Sequence, residues 1–251
     1  MKKRIYHYTT LDSLECILSN KTIRLSVLSE MDDILEGYSM DFDGISKYYY
    51  VSSWSFDGEE NIPLWYMYTN ELKGVRIEAD EDFLNINTDK SGKVTNVTND
   101  DTLVYPINSG KNSSFLIPVK YQNYIDPAIT SERGYIDIEK FNDIGRIKPK
   151  AWEFQNEVRF RLYGINKKNV VKFGDNDFVK FINSIINEAI NETKYIDIKF
   201  DIEKINNANF LLGPAAGEED FDRLNSLIKK YITKFEGDIE KSNLQIRYKQ
   251  K

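Results

Sequence analysis

Lys148-Pro149-Lys150-Ala151-Trp152-Glu153-Phe154-Gln155-Asn156-Glu157-Val158-Arg159-Phe160-Arg161-Leu162-Tyr163 is the stretch on which the reading of this chain turns. From Asn156 onward polar and apolar residues alternate strictly. Glu157, Arg159, Arg161 and Tyr163 therefore share one face of a strand, and Val158, Phe160 and Leu162 share the other. A carboxylate stands beside two guanidinium groups on the polar face. Two readings fit that face. One is a solvated surface of cross-pairing charges. The other is an anionic ligand held by arginines, with the carboxylate aimed at its reacting carbon.

On either side of this stretch the chain mixes both periodicities. Arg4–Thr9 reads as a strand with Ile5 and His7 on one face and Tyr6 and Tyr8 on the other. A helix follows, capped by Thr10 or Asp12, with Leu11, Leu14, Ile17 and Leu18 on its apolar face and Cys16 packed among them. Strands are predicted over 22–26, 48–55, 74–78, 195–200, 209–212 and 244–248, with Gly213-Pro214 ending the fifth. Pro63 in a first turn marks a short helix over 61–68. Phe178, Phe181, Ile182, Ile185, Ile186, Ala189 and Ile190 form one amphipathic helix, and Phe221, Leu224, Leu227, Ile228 and Tyr231 another. Residues 29–37 form an acidic, turn-rich connection, and residues 85–114 a polar insertion or hairpin. No repeat or linker divides the chain, so one α+β domain over 1–251 is expected.

Composition removes whole classes of function. The 251 residues carry a formal charge of −6, which argues against a broad surface for double-stranded nucleic acid. His7 is the only histidine, which excludes histidine pairs and multi-histidine metal sites, and a lone cysteine excludes an internal disulfide. Asp32, Asp33 and Glu36 lack the spacing of a calcium loop, so no metal is expected. No apolar run approaches the roughly 18 residues of a membrane span, and the basic start lacks the apolar segment of a secretory signal. A cytoplasmic location is the expectation. The glycine-rich phosphate loops are absent, so any dinucleotide is held by another scaffold.

Five motifs in order resemble one bacterial family, the domain of unknown function numbered 2971, which is related to the ADP-ribosyltransferase superfamily. They are Tyr6-His7-Tyr8-Thr9; Leu28-Ser29-Glu30-Met31-Asp32-Asp33-Ile34-Leu35-Glu36-Gly37; Ser53-Trp54-Ser55 with Pro63-Leu64-Trp65-Tyr66-Met67-Tyr68 and Gly74-Val75-Arg76-Ile77; Lys150-Ala-Trp152-x-x-Gln155-x-Glu157-Val-Arg159; and Leu211-Leu212-Gly213-Pro214. The resemblance spans nearly the whole chain. Asp32 and Ile34 depart from the family's Asn and Pro, and Gln155 replaces the first acid of its Glu-x-Glu pair.

The resemblance implies split mixed or antiparallel sheets with flanking helices, and NAD as co-substrate in a cleft between two small sheets. It implies Glu157 as the catalytic carboxylate, Gln155 and the acidic loop from Asp32 to Glu36 toward the acceptor, and His7 as a neutral imidazole on the adenosine ribose. Tyr8, Thr9 and Ser53 accompany His7 in the expected NAD site. Tyr68, with Trp65 beside it, is expected against nicotinamide, and Arg24 and Arg159 at the diphosphate. A fixed carboxylate suits an oxocarbenium-like transition state at the nicotinamide–ribose bond. The implied role is a toxin or phage-defence effector that modifies a protein, RNA or DNA acceptor, with an antitoxin or defence protein as partner. NAD hydrolysis, and a sensor of NAD, ADP-ribose or a phage component without turnover, are the alternatives.

Overall fold

Alternating bulk in Arg4–Thr9 makes the first strand, β1, with Ile5 in the core. Helix α1 (Leu11–Asn20) follows at once because the Thr10 hydroxyl accepts from the Ser13 amide. It stops where Lys21 turns left-handed at φ 54°. Next come β2 (Thr22–Val27), β3 (Tyr49–Ser55) and α2 (Ile62–Tyr68), the last capped by Asn61 with Pro63 in its first turn. Then follow β4 (Val75–Asp80), β5 (Thr102–Pro106), β6 (Leu116–Pro118), β7 (Lys120–Gln122), α3 (Ile138–Asp143), β8 (Ile147–Pro149) and β9 (Glu157–Asn166). The chain continues through α4 (Asp177–Ile186), β10 (Tyr195–Lys199), β11 (Asn209–Leu212), α5 (Glu218–Tyr231) and β12 (Ile239–Lys241). This computed structural model describes residues 2–42, 44–107, 115–123, 130, 137–174 and 176–247.

The architecture is α+β. The path β10-β2-β3-β1-β4-β11-β12 runs through one sheet, antiparallel except where β11 meets β12, and β9 with β5 and β6 joins it at β3. Its centre is forked. Strand β9 pairs with β3 from Tyr49 to Ser55 along one edge. Strands β2 and β1 must therefore share the other edge, β2 at Tyr50 and Val51 and β1 at Ser55 alone. Between those contacts Ser52, Ser53 and Trp54 have no strand beside them, and the sheet opens. In place of a cleft between two small sheets there is one in the fork of the larger sheet, to which Lys148 of the separate two-stranded sheet β7-β8 also contributes.

Apolar residues cover both faces. Val158, Phe160 and Leu162 pack with Trp54, Leu25 and Ile5 against α1 and α5, through Leu14, Leu18, Leu224 and Ile228. Tyr163 and Ile165 pack on the other side with Tyr49, Val51, Phe141 and Phe181. This overturns the solvated-face reading of β9. Its alternation is real, yet Glu157, Arg159 and Arg161 are 4%, 0% and 3% exposed.

Other expectations are refined or corrected. Within residues 85–107 an antiparallel bridge joins Thr88 to Val94, as a hairpin requires, and the segment is tied to the domain because β5 pairs with β9 and Val94 and Val104 join the core; residues 108–114 lie outside the described residues. Helix α4 ends at Ile186, because Glu188 turns left-handed at φ 51°, which leaves Ala189 and Ile190 beyond it. The side chain of Phe178 lies outside the described residues. The last strand is β12 and not 244–248: Leu244 and Ile246 instead pack on the cluster around Trp65, and Tyr248 lies outside the described residues. Cys16 is exposed, on the opposite side of α1 from Leu14 and Leu18.

Two glycines allow backbones to touch. A Cβ on Gly74 would stand 2.2 Å from the Thr9 carbonyl oxygen, and one on Gly213 2.1 Å from that of Leu72. Gly74→Ala is expected to destabilise the fold by about 1–3 kcal/mol, read as a lowered denaturation midpoint. An unchanged midpoint contradicts this packing of β1 on β4.

Candidate active site

A cleft of about 290 Å³ opens at the fork, near the small end of the roughly 300–1,000 Å³ range of ligand pockets. Strand register says what enters it. Opposed residues of an antiparallel pair share a face, so Tyr6, Ser53, Ser55, Glu157 and Arg159 look one way and Trp54 and Val158 the other. His7 stacks on Trp54, ring centroids 4.8 Å apart, and reaches the cleft through the split. One imidazole and one acid thus line the same hollow from opposite faces of the sheet.

Geometry fixes the state of His7. Its Nδ1 lies 2.9 Å from the Ser53 carbonyl oxygen, which can only accept, so Nδ1 carries the proton and Nε2 is the acceptor. Burial disfavours the charged ring and pushes its pKa below the ordinary 6.5, more than the Ser53 carbonyl raises it. At neutral pH His7 is an uncharged imidazole.

The cleft floor is an ion cluster. Arg159 donates Nε to Glu157 and both Nη groups to the Glu36 carboxylate, and its Nη1 also meets the Gly145 carbonyl at 2.9 Å. Lys148 Nζ lies 2.8 Å from Glu157 Oε2, 2.9 Å from Gln155 Oε1 and 3.7 Å from Glu36. Two cations and two carboxylates cancel. Burial alone would raise the Glu157 pKa, but Arg159 first and Lys148 second outweigh it and hold it down at about 2. Glu157 is therefore ionised throughout the physiological range and too acidic to act as a proton shuttle.

The remaining expected residues divide. Gln155 lines the cleft but is largely buried, with Nε2 2.9 Å from the Tyr68 hydroxyl, so it is tied into the cluster. Tyr68 lines the cleft and its hydroxyl donates to Asp32 at 3.0 Å; burial and the nearby Asp32 carboxylate raise its pKa. Tyr8 and Ser53 also line it, and Tyr8 holds the Asn61 amide at 3.0 Å. Arg24 sits on the rim, stacked over Tyr195 and bound by Asp197 at 2.9 and 3.0 Å. Two residues lie outside the cleft, against the sequence reading. Thr9 lies buried at the end of β1, outside the cleft lining. Trp65 is fully buried with Leu64 and Leu72, its Nε1 on Glu60. Arg159 is buried and spends most of its donors on Glu36, Glu157 and Gly145, although it lines the cleft. The acidic loop also splits: Asp32 is exposed and Ile34 is 91% exposed, while Glu36 turns inward.

Sequence reasoning missed Glu36 as the partner of Arg159, and Lys148. The second had a signal, for Lys148 opens the same stretch that carries Gln155, Glu157 and Arg159, whereas Lys150 is exposed. Among the described residues no group of three or more His, Cys, Asp or Glu side chains is placed to hold a metal ion.

The single histidine makes its state directly measurable. Nitrogen NMR is expected to show the Nδ1–H tautomer and a titration midpoint below 6.5; the Nε2–H tautomer contradicts the geometry. For Glu157, whose folded pKa lies below its ordinary 4.5, the stabilisation is complete above about pH 5 and fades as pH falls toward 2. The stability gap between the wild type and Glu157→Gln should shrink by about 3 kcal/mol over that window in denaturant titrations. A gap constant down to pH 2 would mean that the carboxylate is not ion-paired.

No protein-family model, no curated protein and no solved structure matches this chain.

Proposed function

We propose that this chain is an NAD-dependent ADP-ribosyltransferase that transfers ADP-ribose from NAD to a macromolecular acceptor, with protein favoured over RNA or DNA. One observation carries the reading: a neutral, tautomer-fixed His7 and an ionised, rigidly held Glu157 open onto one cleft at the fork of the sheet. His7 Nε2 then accepts from a ribose hydroxyl on the adenosine side. The Tyr68 ring lies against nicotinamide. Each Glu157 oxygen has two acceptor directions, and the cluster uses one on each, which leaves room for a hydroxyl of the nicotinamide ribose.

In the reaction the bond from C1′ to the pyridinium nitrogen breaks, and nicotinamide leaves neutral with the electron pair. Positive charge passes to the ribose, where Glu157 stabilises it. A lone pair of the acceptor forms the new bond to C1′, and the acceptor's proton passes to water, since Glu157 is too acidic to keep it. Arg24, held against Asp197 on the rim, is the remaining cation for the diphosphate. Protein is favoured as acceptor because Glu30 and Asp32 line the mouth, repelling phosphate backbones, and exposed Ile34 and Leu35 adjoin them.

A second reading is a site that binds NAD or ADP-ribose without turnover, favoured by the complete pairing of Glu157 and Arg159 inside the cluster. Incubation of purified protein with labelled NAD and lysate separates the readings. Nicotinamide release with a labelled macromolecule supports transfer, free ADP-ribose alone supports hydrolysis, and binding without release supports the second reading. Glu157→Gln is expected to slow release by at least about 100-fold, near 3 kcal/mol, with little change in NAD affinity. His7→Ala should chiefly weaken NAD binding. Unchanged release by Glu157→Gln rejects the proposal.

A further inference from the structure

Resting on that reading, we propose that Lys148 is a positioning residue of the site, whose ammonium fixes the Glu157 carboxylate and the Gln155 amide in one arrangement. Lys148 lies in β8 opposite Tyr121 of β7, with 6% of its side chain exposed, and lines the cleft. An ammonium only donates. The end of Gln155 turned toward it must therefore be Oε1, at 2.9 Å, and Nε2 is forced toward the Tyr68 oxygen. That oxygen accepts from Gln155, so its own proton points at Asp32, which can only accept. One lysine sets the direction of the whole chain Lys148 to Gln155 to Tyr68 to Asp32.

The same ammonium completes the fixing of Glu157. Arg159 takes Oε1 and Lys148 takes Oε2, so the plane of the carboxylate is held at both oxygens. The Tyr121 hydroxyl, opposite Lys148 across β7 and β8, accepts from the Glu157 backbone amide at 2.8 Å, so β7 and β8 grip the backbone and side chain of one residue. Without Lys148 the Glu157 carboxylate is held at one oxygen and the Gln155 amide is free to turn over, which would leave Tyr68 without a fixed orientation at the cleft. Preorganisation of this kind affects turnover more than ground-state binding.

Three variants test it by two readouts, the kinetics of nicotinamide release from NAD and the carbon-13 NMR titration of the Glu157 carboxyl group. Lys148→Met is expected to lower kcat roughly 10- to 100-fold with KM within about threefold, and to raise the Glu157 titration midpoint. Lys148→Arg keeps the charge and so the titration midpoint. Its longer, planar head cannot place a nitrogen where the compact ammonium sits between Gln155 Oε1 and Glu157 Oε2, and kcat should stay depressed. Lys150→Met, two residues away and exposed, should alter neither readout. Wild-type kcat in Lys148→Arg overturns the positioning role, as does a Lys148→Met protein with unmoved kcat and midpoint. Should Lys148→Met fail to fold, Lys148→Arg decides alone. If the wild type releases no nicotinamide, the transferase reading fails by itself, and the carboxyl titration still decides whether Lys148 governs Glu157: a raised midpoint upholds that control and an unmoved one overturns it.

Discussion

The buried quartet of Glu36, Arg159, Glu157 and Lys148 is the constraint on which the site depends. Each charge inside a protein carries a desolvation cost of several kcal/mol, and it persists there only when partners and hydrogen bonds offset it. Here the count is closed, two against two, and Gly145 and Gln155 take remaining donors. Removing any one member leaves an uncompensated charge, the case that costs about 3–5 kcal/mol. The quartet therefore ties together three parts of the chain that share no hydrogen-bonded ladder: the loop carrying Glu36, the short strand β8 and the central strand β9. Arg161 extends the grip, donating to the Ile144 carbonyl beside the Gly145 carbonyl that Arg159 holds. Two arginines of β9 thus fix the turn that leads into β8 and so the approach of Lys148.

The fork is the second constraint on the site, set by β1 and β2 sharing one edge of β3. A strand edge without a neighbour leaves backbone groups exposed to loss of hydrogen bonding. At Ser53 the carbonyl is satisfied by an imidazole in place of a strand. His7 can do this because β1 touches β3 only at Ser55 and then departs to pair with β4 over its whole length. Stacking on Trp54, which is itself packed against Phe83 and Phe160, keeps the ring in place. The opening is thus a built element whose edges are satisfied by side chains, and a ligand entering it meets fixed dipoles instead of mobile ones.

Most of the fold was legible because local periodicity determines local structure. Arg4–Thr9 and Asn209–Leu212 emerge with the boundaries read from alternation, and α1, α2 and α5 with the expected caps or apolar faces. Alternation also assigned the residues of β9 correctly to two faces. It could not say what covers a polar face, since the cover is Glu36, 123 positions away from Arg159. That one unseen pairing turned the expected solvated surface into a buried ion cluster and ties up most of the Arg159 donors. Trp65 shows the converse, an aromatic residue in a cleft-side helix that points inward because Tyr8 meets it edge-on at 4.8 Å. The strand read over 244–248 failed because its apolar residues close the Trp65 cluster, where packing and not pairing decides their conformation.

The pairing of Glu157 bears on how strongly it can act in the proposed reaction. A carboxylate with two cations at its oxygens presents a weaker negative potential than a free one, which lowers attraction for the positively charged nicotinamide ring in the ground state as well as for the transition state. Only the difference between those two states accelerates chemistry. In NAD the charge begins on the pyridinium and ends on the ribose, so the useful quantity is how much closer the carboxylate stands to C1′ than to the ring. That quantity depends on position far more than on total potential. A carboxylate fixed at both oxygens holds its distance through the reaction without reorganising, and it stays ionised because Arg159 and Lys148 keep its pKa near about 2. The cluster thus exchanges field strength for exactness of place, and for a reaction in which charge migrates by one bond, place is the term that discriminates.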